Sequence, residues 1–146
     1  MRAVRVTESS AYQIHYHFVV PVKYRTGIFN HPDRERTLVS VCGEIEERYE
    51  IIFEQIGIDL NHVHYLISAA PKLSPADIIQ IVKSITARQL FIRHPDLRRE
   101  LWGGHLWTEG YFVATIGEGG SKDVIQVYIK NQGKTPKEEQ LKLFNF

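Results

Sequence analysis

The chain reads as an α+β domain of the split βαβ, ferredoxin-like and RRM-like kind, with an antiparallel sheet. Two observations predict this. Period-two or β-rich apolar segments occur four times, at about residues 12–22, 51–58, 62–69 and 106–116. Two helical segments fall between them, giving the order β-α-β-β-α-β. Such a sheet carries its helices on one face and leaves the other open. An additional C-terminal helix follows the last strand.

Each element has its own reason. In the first strand Tyr12, Ile14, Tyr16, Phe18, Val20 and Val22 share one side, and Gln13, His15 and His17 the other. Asp33 is placed to cap a helix running to about Tyr49, with Leu38, Val41, Cys42 and Ile45 as its apolar stripe. Residues 51–58 (IIFEQIGI) and 62–69 (HVHYLISA) flank an Asp59-Leu60-Asn61 turn and predict a hairpin. Ser74-Pro75 opens the second helix, with Asp77 in its first turn, and Pro95 ends it. A polar connection, Asp96 to His105, precedes the last strand. Gly117, Gly119 and Gly120 then break the chain, as a plain loop or as a hinge. Ser121 caps a helix to about Gln132, and residues 135–146 form a tail.

Composition limits the function. The 146 residues suit a single domain, with a core at about 12–134, and 43% hydrophobic with 24% charged residues is ordinary for a globular protein. The net charge of +1 excludes a uniformly basic nucleic-acid coat. It is unevenly spread: residues 1–60 carry 7 basic and 9 acidic side chains, residues 61–146 carry 11 and 8. One cysteine, Cys42, read as a core residue, excludes an intrachain disulfide and a cysteine-built zinc site. No membrane span and no signal peptide is legible, so a cytoplasmic location is expected.

Two local patterns carry chemistry. His62-Val63-His64 lies on a strand, so both imidazoles share a face and could share one metal ion. Two half-exposed strand histidines would read the same way. Tyr128 and Gln132, four apart, share one face of the last helix. Tyr128 is either a core packer beside Ile125 and Ile129 or a nucleophile, and Gln132 can offer a neutral oxygen to a hard cation. Together these four residues fit phosphodiester chemistry. Two nitrogens plus oxygen suit Mg2+ or Mn2+ as the divalent metal, which would polarise the scissile phosphate.

The ordered set resembles the HUH single-tyrosine transposases of the insertion sequence 200/605 family. Its members are Lys23-Tyr24-Arg25, His62-Val63-His64 followed by Tyr65-Leu66-Ile67, Lys72-Leu73-Ser74-Pro75, Leu106-Trp107, Gly110-Tyr111-Phe112-Val113, and Tyr128-Ile129 with Gln132. The resemblance spans about residues 12–134. It implies a transposase that cuts and rejoins single-stranded DNA at insertion-sequence ends. Tyr128 would be the catalytic residue, forming a 5′-phosphotyrosine, with His62, His64 and Gln132 as metal ligands. It also implies recognition of hairpin DNA and a homodimer in which the tyrosine helix can complete the partner's site. Gly117, Gly119 and Gly120 match the place where that helix must swing.

Two positions depart from the pattern. Asn61 stands where Asp is common before the histidines, and Tyr65 where an aliphatic residue is usual. Lys23, Tyr24, Arg25, Lys83, Arg88, Arg98 and Arg99 are candidates for DNA contact, and Tyr24, Trp102 and Trp107 for base stacking, with Trp107 better placed as core. His15 and His17 read as polar strand-face residues. The competing readings are a domesticated relative that nicks and rejoins hairpins, a non-catalytic RNA-recognition-like module, and a phosphodiesterase that uses water instead of Tyr128.

Overall fold

The computed structural model describes residues 4–6 and 11–116. The expected helix after the glycine break, the hinge glycines, Tyr128, Gln132 and the tail lie outside the described residues.

The predicted first strand divides. Ala11–Tyr12 (β2) pairs with Arg5–Val6 (β1) in a separate antiparallel ladder, and the long strand is His15–Pro21 (β3). Alternation had shown which side chains share a face, but it carries no information about the partner strand. Helix α1 runs Pro32–Arg48. Pro32 occupies its first turn, where a missing N–H costs nothing, so Asp33 sits inside that turn rather than capping it. Strands β4 (Ile51–Ile58) and β5 (His62–Ala69) form the expected hairpin.

Helix α2 runs Pro75–Arg93 and starts as the sequence predicts. Ser74 Oγ accepts from the Asp77 N–H at 3.0 Å, and Asp77 Oδ2 accepts from the Ser74 N–H at 3.1 Å. The polar connection hides a one-turn helix, α3 (Leu97–Glu100), whose Leu97 is buried. The last strand, β6, is short, Phe112–Thr115. Ahead of it Thr108 N–H donates to Pro21 O at 3.0 Å, and Lys83 takes the carbonyls of residues 108–110. Its ammonium donates to Thr108 O at 2.7 Å, Glu109 O at 3.0 Å and Gly110 O at 3.3 Å.

The main sheet has the order β4-β5-β3-β6, antiparallel throughout. α1 and α2 serve as the crossovers that this order requires. One side of the sheet, with Phe18, Val20, Val63, Tyr65 and Ile67, joins Leu38, Val41 and Ile45 of α1 and Ile78, Ile79 and Val82 of α2 in one buried cluster. Each such aliphatic contributes about 1.5–3 kcal/mol by leaving water. Arg34, 1% exposed, pins α1 to α3: it donates to the Ile28 carbonyl at 2.9 Å, to Asp96 at 2.8 Å and to both oxygens of Glu100.

Tyr65 packs against Phe53, ring centroids 5.6 Å apart, so its departure from the family pattern is a matter of packing. Its hydroxyl is buried with no hydrogen-bond partner among the described residues, and burial holds its pKa well above the ordinary value. An unsatisfied buried hydroxyl costs about 1–3 kcal/mol. Tyr65→Phe is therefore expected to raise stability by about 1 kcal/mol, read as a higher urea midpoint with an unchanged slope. A lowered midpoint would show that the hydroxyl is satisfied.

Candidate metal and DNA site

The other side of the sheet is built from the remaining half of each alternation. β5 contributes His62, His64, Leu66 and Ser68, and β3 contributes His15, His17 and Val19. In the antiparallel register His64 lies opposite Val19, and His17 lies opposite Leu66. The sheet face expected to be open is buried at these histidines, which argues against the alternative of two half-exposed strand histidines. His17, His62 and His64 are 0% exposed and His15 is 4% exposed. Leu66 and Ile116 form a small buried cluster on that side.

The backbone around the histidines is fixed from three directions. Val22 N–H donates to Asn61 O at 2.8 Å, Phe29 N–H to Leu60 O at 3.1 Å, and Asp59 N–H to His62 O at 2.9 Å. His62 and His64 ring centroids stand 5.1 Å apart. The Asn61 side chain meets the His62 ring. Its Oδ1 lies 2.7 Å from His62 Nδ1, and an amide oxygen can only accept, so His62 carries its proton on Nδ1 and its lone pair on Nε2. His64 Nδ1 meets His17 Nε2 at 3.0 Å. The carboxylate of Asp59 stands 3.8 Å from His62 Nε2, too long for a hydrogen bond.

Burial decides the charge state. It lowers the pKa of His17 and of His62 to about 4; at His62 Asp59 opposes the shift and Arg25 adds to it. His64 is pushed well down by burial, then by His17 and His62. Neutral imidazoles keep the lone pairs that a metal needs. The donor chemistry therefore fits a divalent ion held by His62 and His64. Among the described residues, no three His, Cys, Asp or Glu side chains group closely enough to hold an ion alone. Gln132, the residue expected to add a further ligand to such an ion, lies outside the described residues.

Two contacts on this side escaped the sequence reading. Glu54 reaches His15, which donates from Nδ1 to Glu54 Oε1 at 2.7 Å. A bulge between Phe53 and Gln55 places it there. The signal was present in IIFEQIGI, where the apolar phase moves from odd residues (Ile51, Phe53) to even ones (Ile56, Ile58). His17 was noticed but not joined to His64, because that contact depends on which strands are neighbours.

The proposed DNA residues separate. Lys23, Tyr24 and Arg25 form a one-turn 3-10 segment in which Tyr24 (φ 58°) and Arg25 (φ 55°) are left-handed. Such backbone costs of order 1–3 kcal/mol per residue and persists where the surroundings impose it. Here the turn is tied to Asn61 and Leu106 by the N–H groups of Val22 and Lys23. Tyr24 is 63% exposed, and Arg25 is close enough for its charge to be felt at His62. Arg88, Arg98 and Arg99 are exposed, Arg98 lying over the Phe91 ring at 4.7 Å. The Lys83 ammonium, by contrast, is engaged by its three carbonyls. Trp102 is 81% exposed, whereas Trp107 is core and donates to Thr86 Oγ1 at 3.0 Å. A cavity of about 720 Å³ lies between α2 and residues 104–111, with Lys23, Gln80 and Tyr111 among its walls and neither His62 nor His64.

The histidine shifts set a pH dependence. Unfolded, these imidazoles take a proton near pH 6.5; folded, His17 and His62 take it only near 4. Between those values the unfolded chain binds more protons, so folding stability falls as the pH drops. Metal-free protein is expected to lose about 2 kcal/mol per imidazole between pH 7.5 and 5, measured by urea denaturation. A flat profile over that range would contradict neutral buried histidines.

Comparison with known proteins agrees over most of the chain. Residues 10–132 match the family described as transposase IS200 like. The ISDra2 transposase TnpA of Deinococcus radiodurans is 31% identical over 128 residues, 83% of this chain and 85% of that protein. The transposase for insertion sequence element IS200 of Salmonella typhimurium is 29% identical over 117 residues, 80% of this chain and 75% of that one. Among solved structures, a candidate transposase from Deinococcus radiodurans R1 superposes with a TM-score of 0.70 at 27% identity, covering 88% of this chain and 97% of that chain. A REP-associated tyrosine transposase bound to a REP hairpin shares the fold at a TM-score of 0.55 and 12% identity, covering 86% and 73%. The family match covers well over half of the chain, and this protein belongs to the IS200-like transposases.

Proposed function

We propose that this transposase cleaves and rejoins single-stranded DNA at hairpin-bearing insertion-sequence ends, with Tyr128 as nucleophile and a divalent metal, Mg2+ or Mn2+, held by His62, His64 and Gln132. The observation that carries this reading is the neutral histidine pair on one sheet face, with Asn61 leaving His62 Nε2 its lone pair. The order of the four sheet strands supports a ferredoxin-like scaffold, completed by a C-terminal helix that bears Tyr128. A bound ion would supply Lewis-acid stabilisation of charge on the scissile phosphate.

The chemistry balances as a transesterification. The Tyr128 oxygen forms a bond to phosphorus while the bond to the 3′ oxygen breaks. The phenol gives up its proton and the departing 3′ oxygen gains one, leaving a 5′-phosphotyrosine and a 3′-hydroxyl. Attack by a 3′-hydroxyl on such a linkage reverses the exchange and returns the tyrosine. No water or external energy source is needed. Arg25, whose charge reaches His62, suits a neighbouring phosphate, and exposed Tyr24 and Trp102 suit unpaired bases. The neighbour's REP hairpin, together with the family, favours hairpin recognition. The family resemblance favours a homodimer in which the helix beyond Gly117, Gly119 and Gly120 completes either copy's site.

The test uses labelled single-stranded DNA carrying the hairpin and flank from this gene's own element ends, with Mg2+ or Mn2+. A covalent protein–DNA adduct is expected. Tyr128→Phe should reduce it by at least about a thousandfold, and the double variant His62→Ala/His64→Ala should do likewise. An adduct that survives Tyr128→Phe would refute the nucleophile. Cleavage without any adduct would point to water instead.

A further inference from the structure

The geometry points to His17 as a positioning residue, one that holds His64 in the tautomer with its proton on Nδ1 and so keeps Nε2 as the lone-pair nitrogen for a ligand. This rests on the reading of His62 and His64 as metal ligands, and it assigns a role to a residue on a different strand.

Three features carry it. First, His17 Nε2 and His64 Nδ1 lie 3.0 Å apart, within hydrogen-bond range, and both residues are 0% exposed. Second, the two rings are within 10° of parallel with centroids 5.2 Å apart. That is almost the largest separation the centroids can have with the nitrogens at 3.0 Å. The rings therefore meet edge to edge in nearly one plane, where the N–H of one and the lone pair of the other both lie. It is the geometry of a directed bond rather than of ring stacking. Third, His17 is held on its own account. It stands in β3 opposite Leu66 and Ala114, and its ring meets the Phe112 ring at 5.9 Å and 71°.

Such a bond can run in two directions. If His17 donates, His64 accepts at Nδ1 and must carry its proton on Nε2, which then cannot coordinate. If His64 donates, its proton sits on Nδ1, Nε2 keeps its lone pair, and His17 carries its own proton on Nδ1. Only the second direction leaves a metal ligand. It also makes the two histidines equivalent. His62 has its Nδ1 proton fixed by Asn61 Oδ1, and His64 has its own fixed by His17 Nε2. Partners of this kind orient ligating imidazoles, and their loss typically costs about 10–100-fold in metal affinity.

Two measurements on the full chain test this separately from the metal reading. Long-range 15N–1H correlation on metal-free protein reports the His64 tautomer directly. The wild type should show the proton on Nδ1. His17→Leu should shift it towards Nε2, and His17→Gln, whose Oε1 can accept, should restore it. Calorimetric titration with Mn2+ should show affinity reduced about 10–100-fold in His17→Leu and largely recovered in His17→Gln. A wild-type His64 protonated on Nε2, or a tautomer indifferent to His17→Leu, overturns the assignment. If His17→Leu does not fold, the wild-type spectrum decides by itself. Should the wild type bind no Mn2+ while the tautomer follows His17, the positioning role stands and the metal reading falls.

Discussion

The structure depends on the pleat of β5. That strand is paired on both edges, with β3 on one side and β4 on the other, and all eight of its residues are buried. Its odd residues, Val63, Tyr65 and Ile67, belong to the helix-side core, and its even residues include His62 and His64. A slip of one residue would exchange these sets, driving imidazoles into the aliphatic core. The hydrophobic energy that fixes the register therefore also fixes which way the histidines face. Packing and chemistry are the two sides of one strand.

Burying imidazoles on the second side has a physical consequence. Desolvation penalises the charged form, so His17 and His62 stay neutral well below the ordinary histidine range. A neutral imidazole must still place one proton and one lone pair. Asn61 does this for His62. On the same side His15 is paired with Glu54, whose carboxylate arrives there only through the bulge in β4. Polar groups without partners are expensive in this setting, and these pairs offset part of that cost.

The periphery is held by cations whose work is structural. Arg34 ties α1 to the Ile28 carbonyl and to the α3 carboxylates, and Lys83 gathers three successive carbonyls before β6. Both would pass for solvated surface charges in a sequence. Truncating either is a question of folding before it is one of DNA binding. The exposed Tyr24 and Arg25, held in left-handed backbone beside the Asn61 turn, are the better-placed basic and aromatic groups near the histidines.

The sequence by itself determined the hairpin at 51–69, the helix start at Ser74-Pro75, the sharing of one strand face by His62 and His64, and the family through its ordered motifs. Each of these rests on a short-range rule: a two-residue period, a three-residue cap, or residue types at fixed spacing. Only the tertiary structure decided the rest. The burial of the histidine face, the approach of His17 to His64, the Glu54–His15 pair and the engagement of Lys83 each depend on residues far apart in the chain. Such contacts depend on which strands become neighbours, and local periodicity does not encode that choice.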